Sequence, residues 1–269
     1  MQEQGLKQNI GIFDSGLGGL LVLKHLRELM PDYNYVFYGD QAHVPYGEKS
    51  IDELLEYSKQ ALHFLYKEKN CMYVLLACNT TSSNIYDDLK KWVMETFPGR
   101  KVFGIVRPTV LSLLEFSKIV VFGTHRTIKS HNFKKHIFEN FSNINDESVI
   151  ELELKNLASL IENDQDTFKY LQDFSYRVPN DATTAILGCT HYGLAISSFK
   201  SAFPQIKKWV MQEEIIPPFF KNYIDNKPEE KKALATDNSL EIYVSKENPV
   251  FTKWKDKWFG EEQEIELVK

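Results

Sequence analysis

Two cysteines stand at similar points of the sequence and could transfer protons together. Cys78 follows the apolar residues 72–77, and Cys189 follows the apolar residues 184–187. Each therefore comes where a buried strand is expected to end, and the carboxyl ends of such strands face the ligand clefts of parallel sheets. Hydroxyl or amide side chains follow both cysteines and could bind a carboxylate. A cysteine is often only a small core residue, and we keep that interpretation for Cys71.

A symmetric pair of thiols suits a reaction that inverts a stereocentre by moving a proton. The reaction needs a base on one face of the carbon and an acid on the other, and two thiols with pKa values of about 8.5 can exchange these roles. Because one sulfur must be a thiolate and the other a thiol, each needs a partner for its proton. Asp14 and His191 are the nearest candidates. Taken alone, Asp14 could be an ordinary turn residue, and His191 a loop histidine bonded to backbone.

The spacing gives less support to other chemistries. The glycine-rich residues 16–19 lack both GxGxxG and GK[ST], so they predict a tight turn whose backbone N–H groups face an anion. The scattered cysteines and His191 lack the close pairs of zinc sites, and we expect no metal. A cysteine hydrolase would pair Cys189 with His191. Residues two apart are usually separated in an extended chain, however, and Cys78 would then have no role.

The composition disfavours several classes of protein. The 269 residues are 43% hydrophobic and 26% charged, enough for folded domains without disulfides, and the net charge of −5 disfavours a nucleic-acid partner. No apolar run approaches the roughly 20 residues that span a membrane, and residues 1–9 do not read as a secretory signal. Three cysteines without a CxxC pair favour free thiols in the cytoplasm.

Strands alternate with helices along the first half of the chain, which predicts right-handed strand–helix–strand units and a parallel sheet. In this arrangement Asp14, Asp40 and Cys78 stand at the carboxyl ends of strands. The expected strands are residues 9–13, 35–38 and 72–77, and the expected helices are residues 20–30, 51–68 and 82–97.

The pattern restarts in the second half of the chain. Cys78 and Cys189 lie 111 positions apart, and the strands before Asp14 and Thr124 lie 110 apart. These offsets suggest two duplicated halves, with both cysteines facing one cleft. The expected strands of this half are residues 102–106, 118–122 and 184–187.

The last part of the chain is expected to return to the first domain. Pro217 and Pro218 predict that no helix continues through them, and a strand at residues 241–245 and a helix at residues 249–259 should follow. The sequence thus predicts an α/β fold of two pseudo-symmetric domains, with mostly parallel sheets flanked by helices and an active site in the interdomain cleft. The predicted domains are residues 1–98 with 211–269, and residues 99–210.

Four ordered blocks give the chain a resemblance to a known family. They are Phe13-Asp-Ser-Gly-Leu-Gly-Gly19, Tyr38-Gly-Asp40 with Pro45-Tyr-Gly47, Ala77-Cys-Asn-Thr80 and Leu187-Gly-Cys-Thr-His-Tyr192. By these blocks, and by a weaker likeness along nearly the whole chain, the sequence resembles the glutamate racemases of the aspartate/glutamate racemase superfamily.

The resemblance implies a racemase that uses two bases and no cofactor. Cys78 would remove the α-proton of D-glutamate with help from Asp14, and Cys189 that of L-glutamate with help from His191 and Glu162. The implied role is the supply of D-glutamate for bacterial peptidoglycan, by a cytoplasmic enzyme that forms a homodimer. The residues implied to hold the substrate are Ser15, Pro45, Tyr46, Gly47, Asn79, Thr80, Thr124, Thr127 and Thr190.

The chain departs from the family pattern at several places. His43 stands where the family usually has arginine, Arg107 where it has an acidic residue, and Gly193 where it has proline. Residues 154–159 and 211–218 also differ from the usual segments. These changes leave open a racemase of aspartate or another small amino acid, and a carboxylate-binding relative with impaired activity.

Overall fold

A computed structural model describes residues 7–114, 116 and 118–268. The interpretation of residues 1–9 as carrying no secretory signal falls mostly outside this range. Within it, every strand pair is parallel, and the strands form two sheets flanked by helices, which confirms the predicted fold class. The strands are β1 (Asn9–Asp14), β2 (Tyr35–Gly39), β3 (Cys71–Leu76), β4 (Lys101–Gly104), β5 (Ile119–Gly123), β6 (Val149–Glu153), β7 (Thr184–Gly188), β8 (Lys208–Val210), β9 (Leu240–Val244) and β10 (Ile265–Leu267).

Short and medium helices connect these strands and cover the faces of the sheets. A 3₁₀ helix, Thr190–Ala195, follows β7 directly. The α-helices of the described residues are α1 (Gly19–Leu29), α2 (Ile51–His63), α3 (Asn79–Asn84), α4 (Tyr86–Thr96), α5 (Val106–Leu111), α6 (His125–Lys129), α7 (Asn132–Asn140), α8 (Leu157–Glu162), α9 (Phe168–Gln172), α10 (Ile196–Ala202), α11 (Gln212–Asp225), α12 (Pro228–Ala233) and α13 (Pro249–Phe259).

The first sheet has the strand order β10-β9-β2-β1-β3-β4. Its central strands are apolar and buried because one hydrophobic cluster packs on each face. Phe13 of β1 is paired with Tyr38 of β2 and with Leu76 of β3, so the carboxyl ends of the three central strands lie level. This register places Asp14 and Cys78 at the same edge of the sheet.

The second sheet has the strand order β6-β5-β7-β8 and is also packed between two hydrophobic clusters. Phe122 of β5 is paired with Leu152 of β6 and with Leu187 of β7. The ends of these strands therefore lie level as well, and the next residues, Thr124 and Cys189, stand at one edge of this sheet.

The chain returns to the first sheet after β8. Helix α11 contacts α1, and β9 is paired with β2, with Ile242 opposite Phe37. The C-terminal residues therefore stand beside the strand ends of the first sheet. The domain boundaries after residues 98 and 210 stay predictions.

The predicted helix break at Pro217 and Pro218 is wrong, because both prolines lie inside α11. The N–H groups of the first four helical residues have no intrahelical partner in any case. The two prolines are the sixth and seventh residues of this helix. They therefore remove only the two intrahelical hydrogen bonds that their own N–H groups would have donated. Packing of α11 against α1 and α5 compensates for that loss.

Three other local predictions differ from the structure. The helix expected at residues 82–97 begins at Asn79 and is divided into α3 and α4 at Ile85. Residues 79–83 are polar yet buried, so they show no amphipathic period in the sequence. Val106 begins α5 instead of ending β4, and Cys71 is the first residue of β3 instead of preceding it.

Candidate active site

A cavity of about 330 Å³ lies between the carboxyl ends of the two sheets. Its volume is in the range of small-molecule sites. Asp14 and Thr127 are the two predicted site residues that do not line it. The twelve predicted residues that do are Ser15, Pro45, Tyr46, Gly47, Cys78, Asn79, Thr80, Thr124, Glu162, Cys189, Thr190 and His191.

The first thiol, Cys78, lies between β3 and α3 in neutral or negative surroundings. Its Sγ donates a hydrogen bond to Ser15 Oγ at 3.3 Å. Burial and the nearby negative charge of Asp14 raise the pKa of Cys78, and its hydrogen bonds with Ser15 and Thr81 oppose this shift only in part. Cys78 is therefore expected to be a neutral thiol.

The second thiol, Cys189, contacts a histidine and through it a glutamate. Its Sγ lies 3.7 Å from His191 Nδ1, and His191 Nε2 lies 2.5 Å from Glu162 Oε1. Burial lowers the pKa of His191, but its hydrogen bonds to Cys189 and Glu162, and their negative charges, raise it well above its usual value. The imidazole is therefore cationic at neutral pH and can stabilise negative charge on the sulfur of Cys189.

The contact between Cys189 and His191 contradicts only the argument that residues two apart stay separated. That argument assumed an extended chain. The 3₁₀ helix that begins at Thr190 turns the backbone immediately after Cys189, which brings the imidazole back to the sulfur.

Glu162 is the last residue of α8 and reaches into the site from the second half of the chain. Its carboxylate is buried, and the backbone N–H of Leu17 donates to its Oε1 at 2.9 Å. Leu17 belongs to the glycine-rich turn that was expected to face an anion. Among the described residues, the anion at this N–H is Glu162 of the protein itself.

Asp14 lies behind the cavity and joins the two halves of the site. It is completely buried, and it accepts hydrogen bonds from Gly16 N at 2.8 Å and from Thr190 Oγ1 at 3.1 Å. Burial raises its pKa to about 6, although the positive charge of His191 and the two hydrogen bonds oppose the shift. Asp14 therefore acts on Cys78 through its charge, and its assistance in proton transfer stays a prediction.

Glycine is required at position 18 by the close approach of the other half of the chain. A Cβ on Gly18 would lie 2.6 Å from the backbone nitrogen of His191 and 2.6 Å from Thr190 Oγ1. The turn after β1 therefore packs directly on the start of the 3₁₀ helix that carries His191, the partner of Cys189.

Three threonines form a chain of hydroxyl groups at one side of the cavity. Thr80 Oγ1 lies 3.0 Å from Thr124 Oγ1, which lies 3.1 Å from Thr127 Oγ1. Thr127 is buried behind Thr124 and does not line the cavity, so its contact with a substrate stays a prediction. It fixes the hydroxyl of Thr124, which does line the cavity.

The side-chain amide of Asn79 is held by a residue that the sequence analysis missed. Gln212 Nε2 donates to Asn79 Oδ1 at 2.6 Å, and Asn79 Nδ2 donates back to Gln212 Oε1. Gln212 Nε2 also contacts Thr109 Oγ1 at 3.3 Å. The two amides lie 133 positions apart in sequence, and no local pattern could have paired them.

The C-terminal segment, defined here as residues 240–268, supplies one wall of the cavity. Its residues 246–249 line the cavity beside Gln41, and Asn248 contacts Glu162. The sequence predicts the return of this segment but marks no functional residue in it. No group of three or more His, Cys, Asp or Glu side chains suited to a metal ion occurs in the described part of the chain.

No helix among the described residues has the length and the apolar character needed to cross a membrane. The three cysteines are free thiols, and all three are buried.

The comparisons with known proteins agree with the resemblance found in the sequence. No protein-family model matches the chain. This chain is 38% identical over 199 residues to a glutamate racemase of Aquifex aeolicus, and the aligned region covers 69% of this chain and 71% of the relative. It is 33% identical over 272 residues to a glutamate racemase of a Sulfurihydrogenibium species, which covers 96% and 97%.

A solved structure shows the same fold. The crystal structure of the glutamate racemase from Francisella tularensis in complex with D-glutamate superimposes with a TM-score of 0.83 at 24% identity, over 98% of both chains. On the sequence identity to the two relatives, the chain belongs to the glutamate racemase family.

Proposed function

We propose that this protein interconverts L- and D-glutamate, with Cys78 and Cys189 as the two bases and no cofactor. One observation carries the proposal above the others. The ends of two different sheets each bring one buried thiol to the same small cavity, in a chain of the glutamate racemase family. A base and an acid on opposite faces of one carbon are what a racemase needs.

In the direction from L-glutamate, the Cys189 thiolate removes the α-proton and becomes a thiol. The Cys78 thiol then donates its proton to the opposite face of the carbon and becomes a thiolate, so no proton is gained or lost in the turnover. The reverse direction exchanges the two roles. His191 holds positive charge beside Cys189, and Asp14 holds negative charge behind Cys78, so the charges around the two sulfurs favour attack on L-glutamate by Cys189.

The cavity is suited to stabilise the carbanion that forms when the α-proton leaves. Hydroxyl, amide and backbone N–H groups line it in a largely buried setting, where preorganised dipoles act strongly on developing charge. We assign substrate binding to the predicted residues that line the cavity, with Thr124 held by Thr127 and Asn79 held by Gln212. The relative from Francisella tularensis was crystallised with D-glutamate, which supports this assignment.

The proposed cellular role is the supply of D-glutamate for peptidoglycan, in a cytoplasm that keeps both thiols reduced. We also propose a homodimer, by analogy with the family, and sedimentation equilibrium of the purified protein tests it. A monomer at micromolar concentration would contradict that part of the proposal.

Single replacement of the thiols tests the proposed reaction. Cys78→Ala and Cys189→Ala are each expected to lower kcat about 10²–10⁴-fold, because each removes a base in one direction and an acid in the other. Circular dichroism of both enantiomers of glutamate and aspartate measures the rates and the substrate preference. Cys71→Ala, in the core of the first sheet, is the control and should retain activity.

Two results would overturn the proposal. Near wild-type racemisation in both variants would exclude the thiols as bases. Faster racemisation of aspartate than of glutamate by the wild-type protein would replace the proposed substrate.

A further inference from the structure

Asn248 connects the C-terminal segment to the hydrogen-bonded row of residues at the second thiol, which consists of Glu162, His191 and Cys189. It precedes α13, and its Oδ1 accepts hydrogen bonds from Val250 N at 2.9 Å and Phe251 N at 3.4 Å. These two backbone donors fix the orientation of the amide, because Oδ1 must face them. The Nδ2 group therefore points away from the helix.

Both N–H groups of Asn248 Nδ2 donate hydrogen bonds to other side chains. One donates to Glu162 Oε2 at 3.1 Å and the other to Gln41 Oε1 at 2.9 Å. Glu162 Oε1 is bound at the same time by His191 Nε2 and by the N–H of Leu17. Each oxygen of this buried carboxylate thus has a donor, and the donor to Oε2 comes from a segment 86 positions away in sequence.

The arrangement has a consequence for the sulfur. A buried carboxylate that loses a neutral hydrogen-bond donor is less stable in its charged form and is less firmly oriented. Glu162 is the group that holds the cationic His191, and His191 is the group beside Cys189. A change at Asn248 would therefore reach Cys189 through two hydrogen-bonded neighbours, whereas no such path of side-chain hydrogen bonds leads to Cys78 within the part of the chain that the structure describes.

We propose that Asn248 is a positioning residue for the second base: by binding Glu162 Oε2 it holds the row Glu162, His191 and Cys189 in the geometry for proton transfer. The side-chain hydrogen bonds of Asn248 go to Glu162, Gln41 and the first turn of α13, so it acts on the sulfur through Glu162. The inference rests on the proposed racemase function, and it adds that the C-terminal segment completes one of the two acid–base groups.

Two substitutions separate this role from the capping of α13. Asn248→Ser and Asn248→Asp both keep a side-chain oxygen that can cap the helix. The serine hydroxyl is too short to reach Glu162, and the aspartate would place a second carboxylate against it. We expect kcat to fall about 10- to 100-fold with Ser and further with Asp, since a hydrogen bond to a charged group is lost. The thermal midpoint should stay near that of the wild type.

Isotope effects with α-deuterated glutamate distinguish positioning from a general loss of structure. If the Cys189 step alone is slowed, removal of deuterium from L-glutamate becomes more rate-limiting, so its isotope effect on kcat/KM rises. With D-glutamate, deuterium is removed by Cys78 before the slow step, so the isotope effect falls. A purely structural defect would leave both effects where the wild type has them.

A double-mutant cycle tests whether Asn248 acts through Glu162. In a Glu162→Gln background, Asn248→Ser should change kcat by less than about 2-fold, since the acceptor charge is already gone. Thr252→Ala is the matched control: this exposed residue bonds the backbone oxygen of Asn248 in the same helical turn and does not contact Glu162. It should keep wild-type activity and isotope effects.

The outcomes separate this inference from the proposed function. An inactive wild-type protein would contradict the racemase itself. An active wild type whose Asn248 variants show unchanged kcat, unchanged isotope effects, or full additivity with Glu162→Gln would overturn the positioning role alone.

Discussion

Cys78 and Cys189 share one cavity but have opposite electrostatic surroundings. Cys78 has a neutral hydroxyl and the charge of Asp14 near it, and its pKa is raised. Cys189 has the cationic His191 at 3.7 Å. The two thiols that a racemase would use symmetrically are therefore unlike each other in their surroundings. After each turnover from L-glutamate, Cys189 must lose a proton and Cys78 must regain one before the next turnover in the same direction.

This asymmetry predicts an order of chemical modification. At pH 7, iodoacetamide should label Cys189 before Cys78, because the thiolate is the reactive form and only Cys189 has a cation beside it. Mass spectrometry of peptides after short exposure measures both rates. Cys71, completely buried in the core, serves as the unreactive reference. Faster labelling of Cys78 would show that the charges at the two sulfurs are assigned the wrong way round.

At the scale of elements, α11 connects the second sheet to two separate parts of the site. Its first residue, Gln212, holds Asn79, and its second, Glu213, packs against the 3₁₀ helix that carries His191. A Cβ on Gly193 would lie 2.1 Å from Glu213 Oε1. The departures from the family pattern at position 193 and in residues 211–218 are therefore linked, because the glycine makes room for the glutamate.

Glu213 also predicts how stability depends on pH. Burial raises its pKa from 4.5 to about 7. The folded protein therefore binds this proton more tightly than the unfolded chain does, and the free energy of unfolding falls as the pH rises through this interval. Glu213→Gln removes the effect. The free energy of unfolding of the variant, measured relative to that of the wild type, should therefore rise by about 3 kcal/mol between pH 4 and pH 8.

Urea unfolding of both proteins at pH 4, 6 and 8 measures this difference. Asp14, whose pKa is also raised, is present in both proteins, so its contribution cancels. Glu95→Gln, an exposed glutamate on α4, is the control and should show no pH-dependent difference. A constant difference between Glu213→Gln and wild type at all three pH values would contradict the assignment of a proton to Glu213.

The whole molecule is organised so that each sheet presents one thiol at the level ends of its strands. This part could be predicted from the sequence, because the apolar runs of β3 and β7 are plain and each ends at a cysteine. Glu162 was assigned only by resemblance, since nothing in its short helix marks it as charged and buried. His191 was expected as the partner of Cys189, and only the argument that residues two apart stay separated was wrong, because the turn of the chain after β7 has no local sign.

The hydrogen bonds between supporting side chains of distant segments could not be predicted. Gln212 and Asn248 meet their partners 133 and 86 positions away, and such pairs depend on how the sheets and helices pack. Pro217 and Pro218 show the opposite error, in which a local rule was applied where packing decides. The residues that support the site are thus less visible in the sequence than the two thiols they serve.

The central claim is that two thiols act on opposite faces of the substrate, and proton exchange with solvent tests it most directly. The wild-type protein is given L-glutamate in deuterium oxide, and both enantiomers are separated and analysed by mass spectrometry during the first tenth of the reaction. We predict one deuterium at the α-carbon of the D-glutamate product and almost none in the remaining L-glutamate, because the removed proton stays on Cys189 while Cys78 delivers deuterium. Deuterium entering unreacted L-glutamate as fast as product would indicate a single base and contradict the account.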